Sequence, residues 1–206
     1  VVFAMTASES GNSEKSSDDE SADHRHAIIL DHIPHGQTNP DRPRSQQEPI
    51  AYGIEEEDFR LYELTFETDA DVSIGDRVVI GPTEARKAVD GFRQVGYDAL
   101  STTGQNELKY AVEEIIQSDE DRFVSFYNEA QPITLRLHQL NLLPGIGKKL
   151  RNDILDQRKR GPFTSFSEIE QRITGLHNPA EILAERILEE IRENDLKYNV
   201  FVAPSE

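Results

Sequence analysis

The sequence predicts an α+β protein, with a small β-barrel over residues 26–100 and an all-helical domain over residues 101–197. Three observations carry that reading. Short runs of branched and aromatic residues alternate with Gly/Pro turns up to about residue 98, the cadence of a small barrel. From Asn106 onward, apolar residues recur at helical spacing. Between two of the helical stretches stands "LLPGIGKK", Leu142–Lys149, where two glycines and two lysines sit together in a chain of net charge −17.

Residues 1–25 are rich in serine and acid, too polar to offset their ordering entropy by burial, and read as a disordered acidic tail. Ala27–Ile33 reads as a strand stopped by Pro34 and Gly36, followed by a proline-rich loop over 34–49 that carries Arg42 and Arg44. In Phe59–Glu67, Tyr62, Leu64 and Phe66 fall on one face, with Phe59 and Leu61 on the other. A turn at Gly75-Asp76 leads into a strand through Val78 and Ile80, ended by Gly81-Pro82. Residues 86–98 supply one or two further strands.

The helical half opens with Asn106–Gln117, whose apolar face is Leu108, Ala111, Val112, Ile115 and Ile116. Ser118 is read as the cap of a second helix, with Asp119, Glu120 and Asp121 in its first turn and Phe123, Phe126 and Tyr127 as a core stripe. Pro132 is expected to open a short helix with Ile133, Leu137 and Leu140 on one face. The hairpin interrupts it, and another helix runs from about Gly147 with Leu150, Ile154 and Leu155 inward.

The logic of the hairpin is mechanical. Pro144 stops the first helix, and Gly145 and Gly147 are expected to adopt backbone angles closed to other residues. Their missing side chains leave the backbone open to a ligand. Ile146 points back to pin the helices. The first amides of the following helix are unpaired and lie at the positive end of its dipole, which makes an anion site rimmed by Lys148 and Lys149. The stretch resembles the helix-hairpin-helix motif of nucleic-acid-binding proteins, placed here at 133–159. Residues 146–160 carry six cationic side chains, including Arg151, against Asp153 and Asp156. A basic island in an acidic chain points to a polyanion partner.

A degenerate second copy is read at 165–194. Ser165 and Glu168 form a capping box, Gly175 ends that helix, and Asn178, Pro179 and Glu181 start the next. Its turn, "GLHNP", lacks the Gly-apolar-Gly element, so it is read as a structural partner. Tyr198–Val202 is expected to return to the barrel as a strand, so that residues 198–203 join the first domain.

Composition bounds the rest. Acids number 39 against 22 bases, and only seven of the bases are lysine, a surface suited to molar salt and hence to a halophilic source. There is no cysteine, so neither a disulfide framework nor a thiolate metal site is expected. No apolar run approaches the roughly 20 residues that span a bilayer, so the expectation is a cytoplasmic protein without membrane contact. Asp31, His32 and His35 cluster beside a proline turn. They lack a third ligand at metal spacing, and no nucleophile constellation accompanies them, so no catalysis, metal or cofactor is expected. His138 is placed either toward a phosphate or against a packed surface.

The stretches "ILDHIPHG", "QEPIAYGI", "DRFVSFYNEA" and "PITLRLHQLNLLPGIGKK" together resemble an archaeal family regarded as RNA-binding, which pairs an OB-like barrel with a helix-hairpin-helix domain. The resemblance implies an OB-like β-barrel followed by an all-α tandem helix-hairpin-helix domain, and a nucleic-acid partner with RNA ahead of DNA. The expected contact residues are Gly145, Ile146, Gly147, Lys148, Lys149, Arg151, Arg42 and Arg44. The competing reading is a protein-interaction scaffold in ribosome or transcription assemblies.

Overall fold

The computed structural model describes residues 24–34, 36, 49–66, 70–193 and 195–203. Residues 1–23 of the expected acidic tail and the loop residues His35, Arg42 and Arg44 lie outside the described residues, whereas Arg25, read as the end of that tail, starts the first strand and donates to Glu55 and Tyr62.

Five antiparallel strands, β1 (Arg25–Ile33), β2 (Ile50–Glu55), β3 (Leu61–Phe66), β4 (Arg77–Gly81) and β5 (Val89–Val95), form one sheet in the order β4-β1-β2-β3-β5. The sheet curls into a half-barrel, and its end strands β4 and β5 come into contact. The curl encloses a small core of Ala27, Ile29, Ala51, Tyr62, Leu64, Phe66, Val72, Ile80 and Val89. The two faces read for β3 are the two faces observed: Tyr62, Leu64 and Phe66 point into the curl, and Leu61, with Phe59 just before the strand, joins the core on the other side.

The central strand β2 follows the proline-rich loop with no alternating pattern to announce it. Ile50, Tyr52 and Ile54 face the helices, whereas Ala51 faces the inside of the curl. Gly53 is required by space, since a Cβ there would meet Leu64 Cδ1 at 3.1 Å and the Ile28 carbonyl at 3.2 Å. Glu55 ends the strand fully buried. Its carboxylate accepts the Asp58 amide at 2.7 Å, and burial pushes its pKa up. Phe59 takes a left-handed φ of 55° to close the β2–β3 connection, held there by a fully buried ring against Phe123.

Five α-helices follow: α1 (Thr102–Ser118), α2 (Glu120–Glu129), α3 (Lys148–Arg158), α4 (Phe166–Arg172) and α5 (Pro179–Arg192). Helix α1 starts a turn earlier than its apolar pattern because Ser101 caps it, accepting the Gly104 amide at 3.0 Å. Ser118 does not cap α2. It ends α1, its hydroxyl donating to the Ile115 carbonyl, and Asp119 starts α2 without a side-chain bond. Phe123 and Tyr127 are core residues, as read, and the buried Tyr127 hydroxyl donates to the Pro179 carbonyl at 2.8 Å.

One hydrophobic cluster runs from the outer face of β1 and β2 through α1 to Ile191 on α5. It crosses the expected boundary near residue 100 without a break, and α1 lies directly on β1 and β2.

Tyr198–Val202 returns to the body, as expected, but as an irregular segment and not as a strand. It wraps a buried carboxylate. Glu190 accepts the amides of Val200, Phe201 and Val202, each at 2.9 Å, and Nε of Arg186 at 2.8 Å. Amides turned inward onto one carboxylate are unavailable to a sheet ladder. The Ala203 amide then reaches the Asp58 carbonyl. Among the described residues, no helix is long and apolar enough to cross a membrane.

Candidate nucleic-acid interface

The helix expected to open at Pro132 does not form. Thr134 Oγ1 accepts the amides of Arg136 and Leu137, and the amides of Ile133 and Thr134 both donate to the Leu137 carbonyl. A threonine that bonds its own backbone competes with the helix. Residues 132–138 are therefore a closed loop, bridged at Pro132 and His138, and the hairpin is entered through a single 3₁₀ turn, Gln139–Leu142.

Leu140, Leu143 and Ile146 are buried, so Ile146 does pin the turn to the body. Gly145 has φ +76° and needs to be glycine. Gly147 does not, because its φ of −81° with ψ −175° is ordinary extended backbone. What Gly147 supplies is space: a Cβ at either glycine would meet nothing within 4 Å, so the backbone is open to a ligand.

Gly147 starts α3 without any side-chain cap, and the first backbone bond of the helix is Arg151 N–H to the Gly147 carbonyl at 3.0 Å. The amides of Lys148, Lys149 and Leu150 are thus left without helical acceptors, at the positive end of an 11-residue helix. The Lys148 and Lys149 side chains are exposed beside them. Such a cluster of amides and cations can accept a phosphate or a carboxylate.

Asn141 locks this geometry. Its Nδ2 donates to the Ile146 carbonyl at 3.1 Å, and its Oδ1 accepts Arg151 Nη1 at 3.1 Å. Arg151 also bonds Asn152 Oδ1. It therefore acts first as a brace for the hairpin, and sequence reading missed Asn141 because an amide beside leucines looks like surface.

The basic island divides on inspection. Arg158 donates to the carbonyls of Tyr127 and Ala130, closing the C-terminus of α2, and burial lowers its pKa. Lys159 pairs with Asp156. Among the described residues of the island, Lys148, Lys149 and Arg160 make no hydrogen bond or ion pair through their side chains. Across the shallow depression at the hairpin stand Arg186 and Glu189 of α5, paired with each other at 2.7 Å.

His138 does not face a phosphate. It is buried, and its Nδ1 accepts the Leu140 amide at 3.1 Å, starting the 3₁₀ turn. Burial first, then the charges of Arg158 and Arg151, push its pKa down, so the ring is neutral with the proton on Nε2. Asp31 accepts the Ser101 hydroxyl at 2.5 Å and so braces the α1 cap. No cluster of three metal-ligating side chains exists among the described residues.

The second unit has a cap but no Gly-apolar-Gly turn. Ser165 accepts the Glu168 amide, but Glu168 reaches back to Thr164 and not to Ser165. Those two bonds and Arg172 hold its carboxyl down at about 2. Asn178 starts α5 in a left-handed conformation with no side-chain cap, its amide group donating to Glu181.

A family model described as "Protein of unknown function (DUF655)" matches residues 23–203. The chain is 40% identical over 178 residues to "Uncharacterized protein MJ0038" of Methanocaldococcus jannaschii, covering 86% of this chain and 79% of that protein. It is also similar to the crystal structure of Af1531 from Archaeoglobus fulgidus, with 38% identity and a TM-score of 0.79, covering 86% of this chain and 99% of that one. The chain belongs to the archaeal DUF655 family.

Proposed function

We propose that the protein is a non-enzymatic nucleic-acid-binding protein, RNA ahead of DNA, that grips a backbone phosphate at the hairpin. The observation that carries this reading is the set of unpaired amides at Lys148, Lys149 and Leu150, with no side chain standing between them and solvent at Gly145 and Gly147. The 3₁₀ turn, hairpin and α3 form a helix-hairpin-helix-like unit with a shortened first arm. The strand order, with β4 and β5 approaching each other, supports an OB-like barrel.

The barrel is not the main contact surface in this reading. OB folds take nucleic acid on the face of strands 2 and 3, and here Ile50, Tyr52, Ile54 and Leu61 of that face are buried in the core shared with the helices. The hairpin is left as the principal site. At net charge −17 the protein suits high salt, where counterion release contributes little and amide contacts carry more of the affinity.

The test is a salt series of RNA binding by the parent and two variants. Gly147→Val keeps an ordinary backbone and meets open space, so it folds. It nevertheless blocks close approach and abolishes binding at all salts. Replacing Lys148 and Lys149 with Gln weakens binding mainly at low salt and flattens the slope by about 0.7–0.9 per lost contact. A folded Gly147→Val protein that binds like the parent overturns the reading.

A further inference from the structure

The loop ahead of the hairpin presents Leu135 fully to solvent, at 107% relative exposure. A lone exposed leucine is ordinary on a protein surface. What sets this one apart is the scaffold beneath it. The loop base is clamped twice between Gln131 and Gln139: the Gln139 amide donates to the Gln131 carbonyl at 2.9 Å, and the Gln131 amide donates to Gln139 Oε1 at 2.6 Å. The walls are joined by the bridge of Pro132 to His138, and the tip is folded over Thr134. Beside Leu135, the exposed Arg136 guanidinium makes no hydrogen bond or ion pair within the described residues.

The loop is also joined to the hairpin. The clamp residue Gln139 is the first residue of the 3₁₀ turn that ends at Leu142, and a turn of four residues spans about 8 Å. Adding the reach of four residues from Gln139 to Leu135 puts the tip within roughly 20 Å of the hairpin. A strand held at the hairpin would pass within a few nucleotides of the tip.

We propose that Leu135 is a wedge that enters between adjacent bases of the nucleic acid held at the hairpin, with Arg136 on the neighbouring phosphate. The proposal rests on the phosphate-gripping reading and narrows it: the favoured substrate is a structured nucleic acid with a weakly stacked step, such as a bulge, over a continuous duplex. Inserted apolar side chains offset the cost of unstacking by desolvation, and that cost is lowest where stacking is already broken. The cation beside the leucine suits a polyanion. The apolar area of one leucine falls far short of the roughly 800 Å² that each partner contributes to a stable protein interface.

The experiment uses two RNA hairpins, one fully paired and one with a single-nucleotide bulge, each carrying 2-aminopurine at the same position. The parent protein raises the fluorescence of the bulged RNA and prefers it over the paired one. Leu135→Ala, at a position free of packing, loses the fluorescence rise and binds the bulged RNA about tenfold more weakly. Its salt slope is unchanged because no phosphate contact is removed, and Leu135→Met restores both signals. Arg136→Gln flattens the slope by about 0.7–0.9 and keeps the fluorescence rise. If Leu135→Ala binds and reports like the parent, the wedge is overturned and the hairpin reading stands. If it instead loses only a protein partner that survives nuclease treatment, the wedge is likewise overturned. If the parent binds neither RNA, the reading beneath it falls as well.

Discussion

Glu190 anchors the C-terminal segment, and its replacement by Ala is the sharpest test of how the fold is closed. Four donors converge on this carboxylate. Oε1 takes Arg186 Nε and the Val200 amide, and Oε2 takes the Phe201 and Val202 amides, all at 2.8–2.9 Å, with the side chain at 0% exposure. Removing it leaves Arg186 without its buried partner and three amides without acceptors. Breaking a buried pair on one side costs about 3–5 kcal/mol. The alternative is for residues 198–203 to peel away and hydrate, which gives up the packing of Phe201 against Phe126 and Phe123 and costs about 1.5–3 kcal/mol. The cheaper route limits the loss to about 3 kcal/mol, or roughly 6–12 °C in melting temperature for a chain of this size. The chain has no tryptophan, so far-UV circular dichroism is the suitable readout. Glu190→Gln should fail to rescue, because its single carbonyl oxygen meets two of the four donors and its NH₂ turns toward the others. Melting within 1–2 °C of the parent for either variant would refute the clasp.

Two further predictions concern the hairpin. The folded pKa of His138 lies below its ordinary value of 6.5, so the unfolded chain takes up that proton first. Its contribution to stability is full above about pH 6.5 and is lost as pH falls through that value to the folded pKa. His138→Asn, which keeps an acceptor for the Leu140 amide, should flatten this part of the urea-midpoint profile between pH 7 and 5, and parallel profiles would contradict it. Gly145→Ala should cost about 1–2 kcal/mol by urea denaturation, because φ +76° is strained for any side chain, whereas Gly147→Ala should cost under about 0.5 kcal/mol. Equal costs would show that the turn is held differently.

Much of the fold was legible because its periodicity is local. The alternation around β3, the Gly75-Asp76 turn and the apolar stripes of α1, α3 and α5 each follow from residues two to four apart. The resemblance was borne out as far as the archaeal family. Features that depend on distant partners were not legible. β2 hid behind a proline-rich run, and its Gly53, which looks like a breaker, is there for lack of room against Leu64 and Ile28. Residues 132–138 carry a helical apolar pattern, but Thr134 diverts their backbone bonds. The Glu190 clasp is written in main-chain amides, which leave no trace in side-chain pattern. At the site, the opening at Gly147 was legible, although its reason is space and not backbone angle. The division of the basic island was hidden because Arg158 is occupied by carbonyls of α2, some thirty residues earlier.

The most direct test of phosphate gripping is to follow backbone amides by NMR during titration with a short single-stranded RNA. Gripping at the helix start predicts that Lys148, Lys149 and Leu150 move first and furthest, with downfield shifts as their N–H groups gain acceptors, and that the amides of β2 and β3 stay still. Saturable binding that moves the sheet amides and leaves residues 148–150 unshifted would contradict it.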